Sequence, residues 1–134
     1  MMARFKKLDR SGATAMEFAL IVPLWITMIF AVINIGLYFY AAAGLKHSID
    51  EAARYATIWP TPTDAQIAAR IDATRFGYDP SRLGTPMIQR GSSQGSNYVE
   101  ITLNYPTSLN LVVARVPATT ITESRRAYLS WSAS

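Results

Sequence analysis

Apolar and polar positions divide this chain into two unlike parts. From Ala13 to Leu45 the residues are apolar on every side of a helix drawn through them, and the 28 residues Phe18–Leu45 carry no charge. A bilayer core of about 30 Å takes about 20 helical residues at about 1.5 Å each. The stretch therefore predicts a membrane-spanning helix, residues 13–45, that projects some turns beyond the lipid. A soluble helix apolar all round would need a much larger protein to bury it. An ordinary secretory signal has an apolar stretch of about 7–15 residues before its small-residue cleavage site. Here Ala41-Ala42-Ala43 arrives late for such a site, which makes cleavage there the lesser alternative.

After Leu45 the pattern becomes periodic. Leu45, Ile49, Ala52, Ala53 and Ala56 recur at 3–4 spacing with Lys46, Asp50, Glu51 and Arg54 between them, so residues 46–58 continue the helix with one apolar face. Asp50 and Arg54 form an i,i+4 pair worth a few tenths of a kcal/mol at about this spacing. Pro60 and Pro62 end the helix by Trp59. Thr63-Asp64-Ala65-Gln66 then reads as a capping box opening a short helix with Ile67, Ala68 and Ile71 inward and Gly77 as its stop. Residues 78–86, with two prolines and a glycine, predict a loop, and Gly91–Ser96 a tip between two strands. Val99, Ile101, Leu103 and Tyr105 alternate with Tyr98, Glu100, Thr102 and Asn104 as in a half-buried strand. Residues 109–113 are apolar and ambiguous, and Thr119–Trp131 predicts the last strand. The expected fold class is α+β: a long N-terminal helix and stalk carrying a small head, residues 59–134, of antiparallel strands. A head this small has a marginal core, so packing on the stalk or on partner subunits would help it.

Charge adds the orientation. Residues 1–12 carry Arg4, Lys6, Lys7 and Arg10 against Asp9, a net +3, whereas the remaining 122 residues net only +1. The pI of 9.6 thus describes a basic peg on a nearly neutral body. By the positive-inside rule the peg stays cytoplasmic and the head lies outside. Arg125-Arg126 is the only basic cluster in the body, so no nucleic-acid partner is expected. The chain has no cysteine and one histidine, which excludes disulfides, thiolate zinc sites and a multi-histidine metal site within one chain. No cofactor or metal is implied. His47 has no nucleophile at a meaningful spacing, Asp72 and Asp79 form no recognisable dyad, and Gly91–Gly95 lacks the Lys-Ser/Thr of a phosphate loop. An enzyme is not expected.

Glu17 stands out, because a carboxylate in an apolar span costs about 2.5–3.5 kcal/mol at the bilayer centre and less near the interface. One explanation is that it snorkels to the cytoplasmic headgroups. Its context offers another. A basic leader ends at Gly12, and Glu17 follows five residues later at the head of the apolar run. This junction resembles a prepilin-type (class III) signal. More narrowly, Arg10-Ser11-Gly12-Ala13-Thr14-Ala15-Met16-Glu17-Phe18-Ala19-Leu20 with Pro23 resembles the start of the TadE-like family, minor pilins or pseudopilins of the tight-adherence (Tad/Flp) pilus. Ala52-Ala53-Arg54-Tyr55-Ala56 is similar to the segment where the family's helix leaves the membrane. Val99–Pro106 and Thr119–Arg126 resemble its strand-then-Tyr-Pro element and its closing Thr-rich strand.

The resemblance implies a type IV pilin-like architecture with residues 1–12 as a leader, cut between Gly12 and Ala13 by a prepilin peptidase. It implies that Glu17 and Pro23 serve assembly, Glu17 by pairing with the freed Ala13 amine of a neighbouring subunit. Glycine before the cut lets an extended backbone enter a protease without a side chain, and pairing offsets much of the cost of burying two charges. The implied partners are the inner membrane, the prepilin peptidase, the major Flp pilin, a second TadE/TadF-like pseudopilin and the pilus platform proteins. Pro23 itself either kinks or opens the helix or is a tolerated membrane proline. Asn34 and Gly36 suit helix–helix contact, and Tyr38, Phe39 and Tyr40 suit an outer interfacial belt. The alternative function is an uncleaved, permanently anchored envelope protein whose head binds a partner or wall component.

Overall fold

The computed structural model describes residues 10–108, 110–111, 114–115 and 117–130. The leader up to residue 9 and Trp131 lie outside the described residues. Helix α1 (Arg10–Ala56) is a single helix of 47 residues, about 70 Å at 1.5 Å per residue. It is followed by α2 (Asp64–Ala73), a 3-10 turn (Pro80–Arg82), β1 (Met87–Ser93), β2 (Ser96–Thr107), β3 (Asn110–Leu111), β4 (Ala114–Arg115) and β5 (Thr119–Tyr128). The capping box at α2 forms as its sequence implies: the Thr63 hydroxyl accepts from the Gln66 N–H, and the Gln66 side chain accepts from the Thr63 N–H. The 78–86 loop contains the 3-10 turn, capped by Asp79. In the ambiguous 109–113 stretch, Asn110–Leu111 pairs with Ala114–Arg115 as a short antiparallel ladder.

The main sheet has the order β1-β2-β5, all antiparallel. The β1–β2 tip is a two-residue turn, Gln94-Gly95, with φ of 52° and 78°. Positive φ at both central residues gives a twist that matches the strands, which is why such turns close tight hairpins. On β2 the alternation holds: Val99, Ile101, Leu103 and Tyr105 are buried and the residues between them are not. The register Tyr105↔Ile121 puts Ile121 of β5 on the same inner face.

That face lies against the upper part of α1. The core consists of Ala41, Leu45, Ile49, Ala52, Ala53 and Ala56 from α1, Ile67 and Ile71 from α2, four β2 residues and Ile121. Each large aliphatic buried here contributes about 1.5–3 kcal/mol relative to exposure. Six of these thirteen residues come from α1, so head and helix share one core. Ala41, Gly44 and Leu45, inside the apolar run, are buried by the head.

Ion pairs lock the periphery. The Glu51 carboxylate accepts from both Arg54, 2.9 Å away, and Arg70 of α2. Asp50 pairs with Arg125 of β5 at 2.8 Å. The expected Asp50–Arg54 pair is thus replaced: folding brings β5 to Asp50, while Arg54 turns to Glu51 at i,i+3. Arg90 of β1 donates to Asp64 at 2.7 and 3.0 Å and to the Pro62 carbonyl at 2.7 Å, which ties the sheet edge to the start of α2. Arg125 and Arg126, adjacent in sequence, point to opposite faces because strand side chains alternate. Arg126 pairs with Glu100 at 3.0 Å and lies over the Tyr98 ring, so the two cations do not form one patch.

Candidate assembly helix and its junction with the head

The exposed part of α1 is the most unusual surface of the molecule. Residues 14–37 are mostly apolar and largely exposed around the helix. Met16, Phe18, Leu20, Leu24, Trp25, Met28, Val32 and Phe39 all exceed 60% exposure. The helix is long and apolar enough to cross a membrane, and none of its most hydropathic stretch is buried within the chain. Two of the polar side chains here bond to their own helix. Thr27 Oγ1 donates to the Leu24 carbonyl at 2.7 Å, and Asn34 Nδ2 donates to the Phe30 carbonyl at 2.8 Å. This bond uses one of the two Asn34 amide protons and leaves the other and the amide oxygen for further contacts.

Gly12, Ala13 and Glu17 share the first two turns of α1, and Glu17 is exposed. Ala13 and Glu17 are four residues apart, on the same side of the helix and about 6 Å apart along its axis. A chain beginning at Ala13 would carry its amine one turn from Glu17, where the positive end of the helix dipole also favours a carboxylate. Among the described residues nothing lies within 4 Å of a Cβ at Gly12. Helix α1 passes through the Gly12–Ala13 bond from Arg10, so a protease needing an extended substrate must first unwind that turn. Pro23 stands about 9 Å further along and about 120° around from Glu17. It removes the donor that the Ala19 carbonyl would otherwise receive, yet α1 continues through it.

At the other end of the exposed stretch, α1 meets the head in a close backbone contact that the sequence pattern did not reveal. A Cβ at Gly44 would overlap the Phe76 carbonyl oxygen and stand 2.9 Å from its carbon. A Cβ at Gly77, where φ is +74°, would stand 2.6 Å from the Tyr40 carbonyl oxygen. Two glycines facing each other's segments let the turn after α2 lie directly on the helix backbone. Beside them, the buried Ser48 hydroxyl donates to the Thr74 carbonyl at 3.3 Å and accepts from the Tyr78 hydroxyl at 3.1 Å. Burial pushes the Tyr78 phenol above its usual range despite that bond to Ser48. The available signal was the run of small residues Ala41, Gly44, Ser48, Ala52 and Ala56 on one helix face.

The aromatics at this level are shared with the head. Tyr38 packs against the core, and Tyr40 and His47 both meet the Phe76 ring, at 5.9 and 5.3 Å between centroids. Tyr38 and Tyr40 are thus shared with the head, while Phe39 and Tyr40 stay 66% and 54% exposed. Asp72 pairs weakly with Arg75 at 3.8 Å, and Asp79 accepts from the Ser81 N–H and hydroxyl at 3.0 and 2.7 Å. These bonds hold the Asp79 carboxyl below the usual range. Among the described residues no group of three His, Asp or Glu side chains is placed to hold a metal ion.

Comparison with known proteins adds one match. Residues 12–54 fit the family model described as TadE-like protein. No curated protein and no solved structure matches the chain. The matched segment begins at Gly12 and runs through Glu17, Pro23, the exposed apolar stretch and the core-facing turns to Arg54. Over this segment, about a third of its length, the chain is similar to the TadE-like family.

Proposed function

We propose that this chain is a minor pilin or pseudopilin of a Tad/Flp pilus, which assembles with other pilins through α1 to initiate or cap the fibre. The observation that carries this reading is that the TadE-like segment coincides with a helix whose apolar surface is uncovered within the chain itself. Such a surface needs lipid before assembly and other helices after it. The basic leader keeps the N-terminus cytoplasmic and the head outside the inner membrane. A prepilin peptidase cuts between Gly12 and Ala13. The new amine and Glu17 then pair between neighbouring subunits, because neither charge is tolerated alone in low dielectric. Pro23 gives the helix local freedom for that packing. The partners are the major Flp pilin, a second TadE/TadF-like pseudopilin and the platform proteins. No catalytic role is proposed.

The test is the intact mass of the protein from its native membrane, with and without the co-resident prepilin peptidase. Loss of residues 1–12 only when the peptidase is present supports the pilin reading. It is then extended by Glu17→Gln, which should insert normally but fail to support fibres. An unchanged precursor mass, with fibres still formed by Glu17→Gln, sinks the reading and leaves an uncleaved anchor whose head meets a partner or wall component.

A further inference from the structure

The first contacts between head and helix set where the bilayer must end. The head packs on α1 from Tyr38 upward. The twenty uncharged residues Phe18–Leu37 lie ahead of Tyr38 and span about 30 Å, the thickness of a hydrocarbon core. Glu17 falls at the inner boundary of that span. The head's lower rim, with Phe76 and the 3-10 turn, falls at the level of the outer headgroups.

A cleft of about 350 Å³ opens at this level between helix and head. Asn34 and Tyr38 line it from α1, and Asp79, Arg82, Tyr105 and Ser108 line it from the head. The Arg82 guanidinium sits 5.7 Å from the centre of the Tyr105 ring and makes no ion pair within 4 Å among the described residues. Asp79 is tied at one carboxylate oxygen to Ser81. The cleft therefore offers one cation and one anion in a partly polar wall, and its helix side continues into the apolar surface below Leu37.

We propose that this cleft seats the headgroup of a zwitterionic phospholipid of the phosphoethanolamine class. The phosphate lies on Arg82, the ammonium faces Asp79, and the acyl chains run down the exposed side of α1. Charge complementarity selects this occupant. A free phosphate or a purely anionic headgroup meets Asp79 as well as Arg82, and lacks the ammonium that would answer it. Arginine suits the phosphate because its planar donors match paired oxygens. The inference rests on α1 spanning the membrane. Its consequence is that the head is seated on the lipid surface before extraction, with no free stalk between them.

The full chain is reconstituted in vesicles of equal phosphatidylethanolamine and phosphatidylglycerol, released in mild detergent and weighed by native mass spectrometry. Wild type should retain one phosphatidylethanolamine per chain. Arg82→Gln should lower the retained fraction by about tenfold, Arg82→Lys should restore part of it, and Asp79→Asn should move the preference toward phosphatidylglycerol. Equal retention by wild type and Arg82→Gln overturns the seat. So does displacement of the lipid by inorganic phosphate, or a photoreactive residue in place of Ser108 that captures a second polypeptide instead of lipid. A high-pH wash of the membranes separates the two levels. A wild-type chain that washes off overturns the spanning reading and the seat with it, whereas one that stays but shows no lipid preference overturns the seat alone.

Discussion

Gly44→Ala is the sharpest perturbation of the head–helix junction, because two effects of opposite sign compete at one atom. In a helix interior alanine is better than glycine by about 1 kcal/mol, so a freely exposed site would gain stability. At Gly44 the added Cβ overlaps the Phe76 carbonyl oxygen and stands 2.9 Å from the carbonyl carbon. Ordinary carbon contacts are about 3.5–4.0 Å, so the Phe76–Gly77 backbone must retreat by at least about 0.6 Å. No rotamer change relieves a backbone clash. Retreat also loosens Gly77 from Tyr40 and the Tyr78–Ser48 hydrogen bond. Overpacking of this kind costs about 1–3 kcal/mol, and the lost bond about 1 kcal/mol more. The expected net effect is a destabilisation of about 1–3 kcal/mol after the helix gain is subtracted. Gly36→Ala is the control, since nothing lies within 4 Å of its Cβ, and it should be neutral or slightly stabilising. The assay is thermal unfolding of the full chain in detergent micelles by near-ultraviolet circular dichroism, with hydrogen exchange read on residues 74–79. If Gly44→Ala were as stable as Gly36→Ala, with unchanged protection at 74–79, the close-contact argument would be refuted.

Three further outcomes follow from the head and the part of α1 it packs on. Ile101→Ala removes a fully buried side chain from the central strand and should cost about 2–5 kcal/mol in the same unfolding assay. Thr63→Ala deletes one half of the capping box and should cost about 1 kcal/mol, seen as faster amide exchange in the first turn of α2. Hydrogen bonds from Arg70 first, and then Arg54, hold the Glu51 carboxyl below its usual range. Its contribution is therefore complete above the ordinary glutamate pKa and is lost as pH falls through the depressed folded value. Thermal stability measured from pH 6 down to about 3 should decline more steeply for wild type than for Glu51→Gln, and parallel curves would remove Glu51 from the acid response.

Much of this architecture was legible residue by residue. The uncharged run Phe18–Leu45 announces one long helix, apolar enough to cross a membrane, because length and composition are read directly from the chain. The capping box at Thr63–Gln66 and the alternation from Tyr98 to Tyr105 are local, since a hydrogen bond three residues away and a period of two need no tertiary information. The same holds for the junction Gly12–Glu17, whose spacing along a helix is set by the chain alone. Tertiary structure decided what distant segments do to each other. Asp50 found Arg125 and not Arg54 because the β2–β5 register delivers that side chain to α1. Arg125 and Arg126 separated because neighbouring strand residues face opposite ways. The tyrosines at 38 and 40 became part of the head's seat. Gly44 gained its meaning only when the turn after α2 was laid on α1. The physical reason is common to these cases: a local pattern states what a residue can satisfy within one or two turns, whereas long-range packing chooses among partners the pattern leaves equivalent.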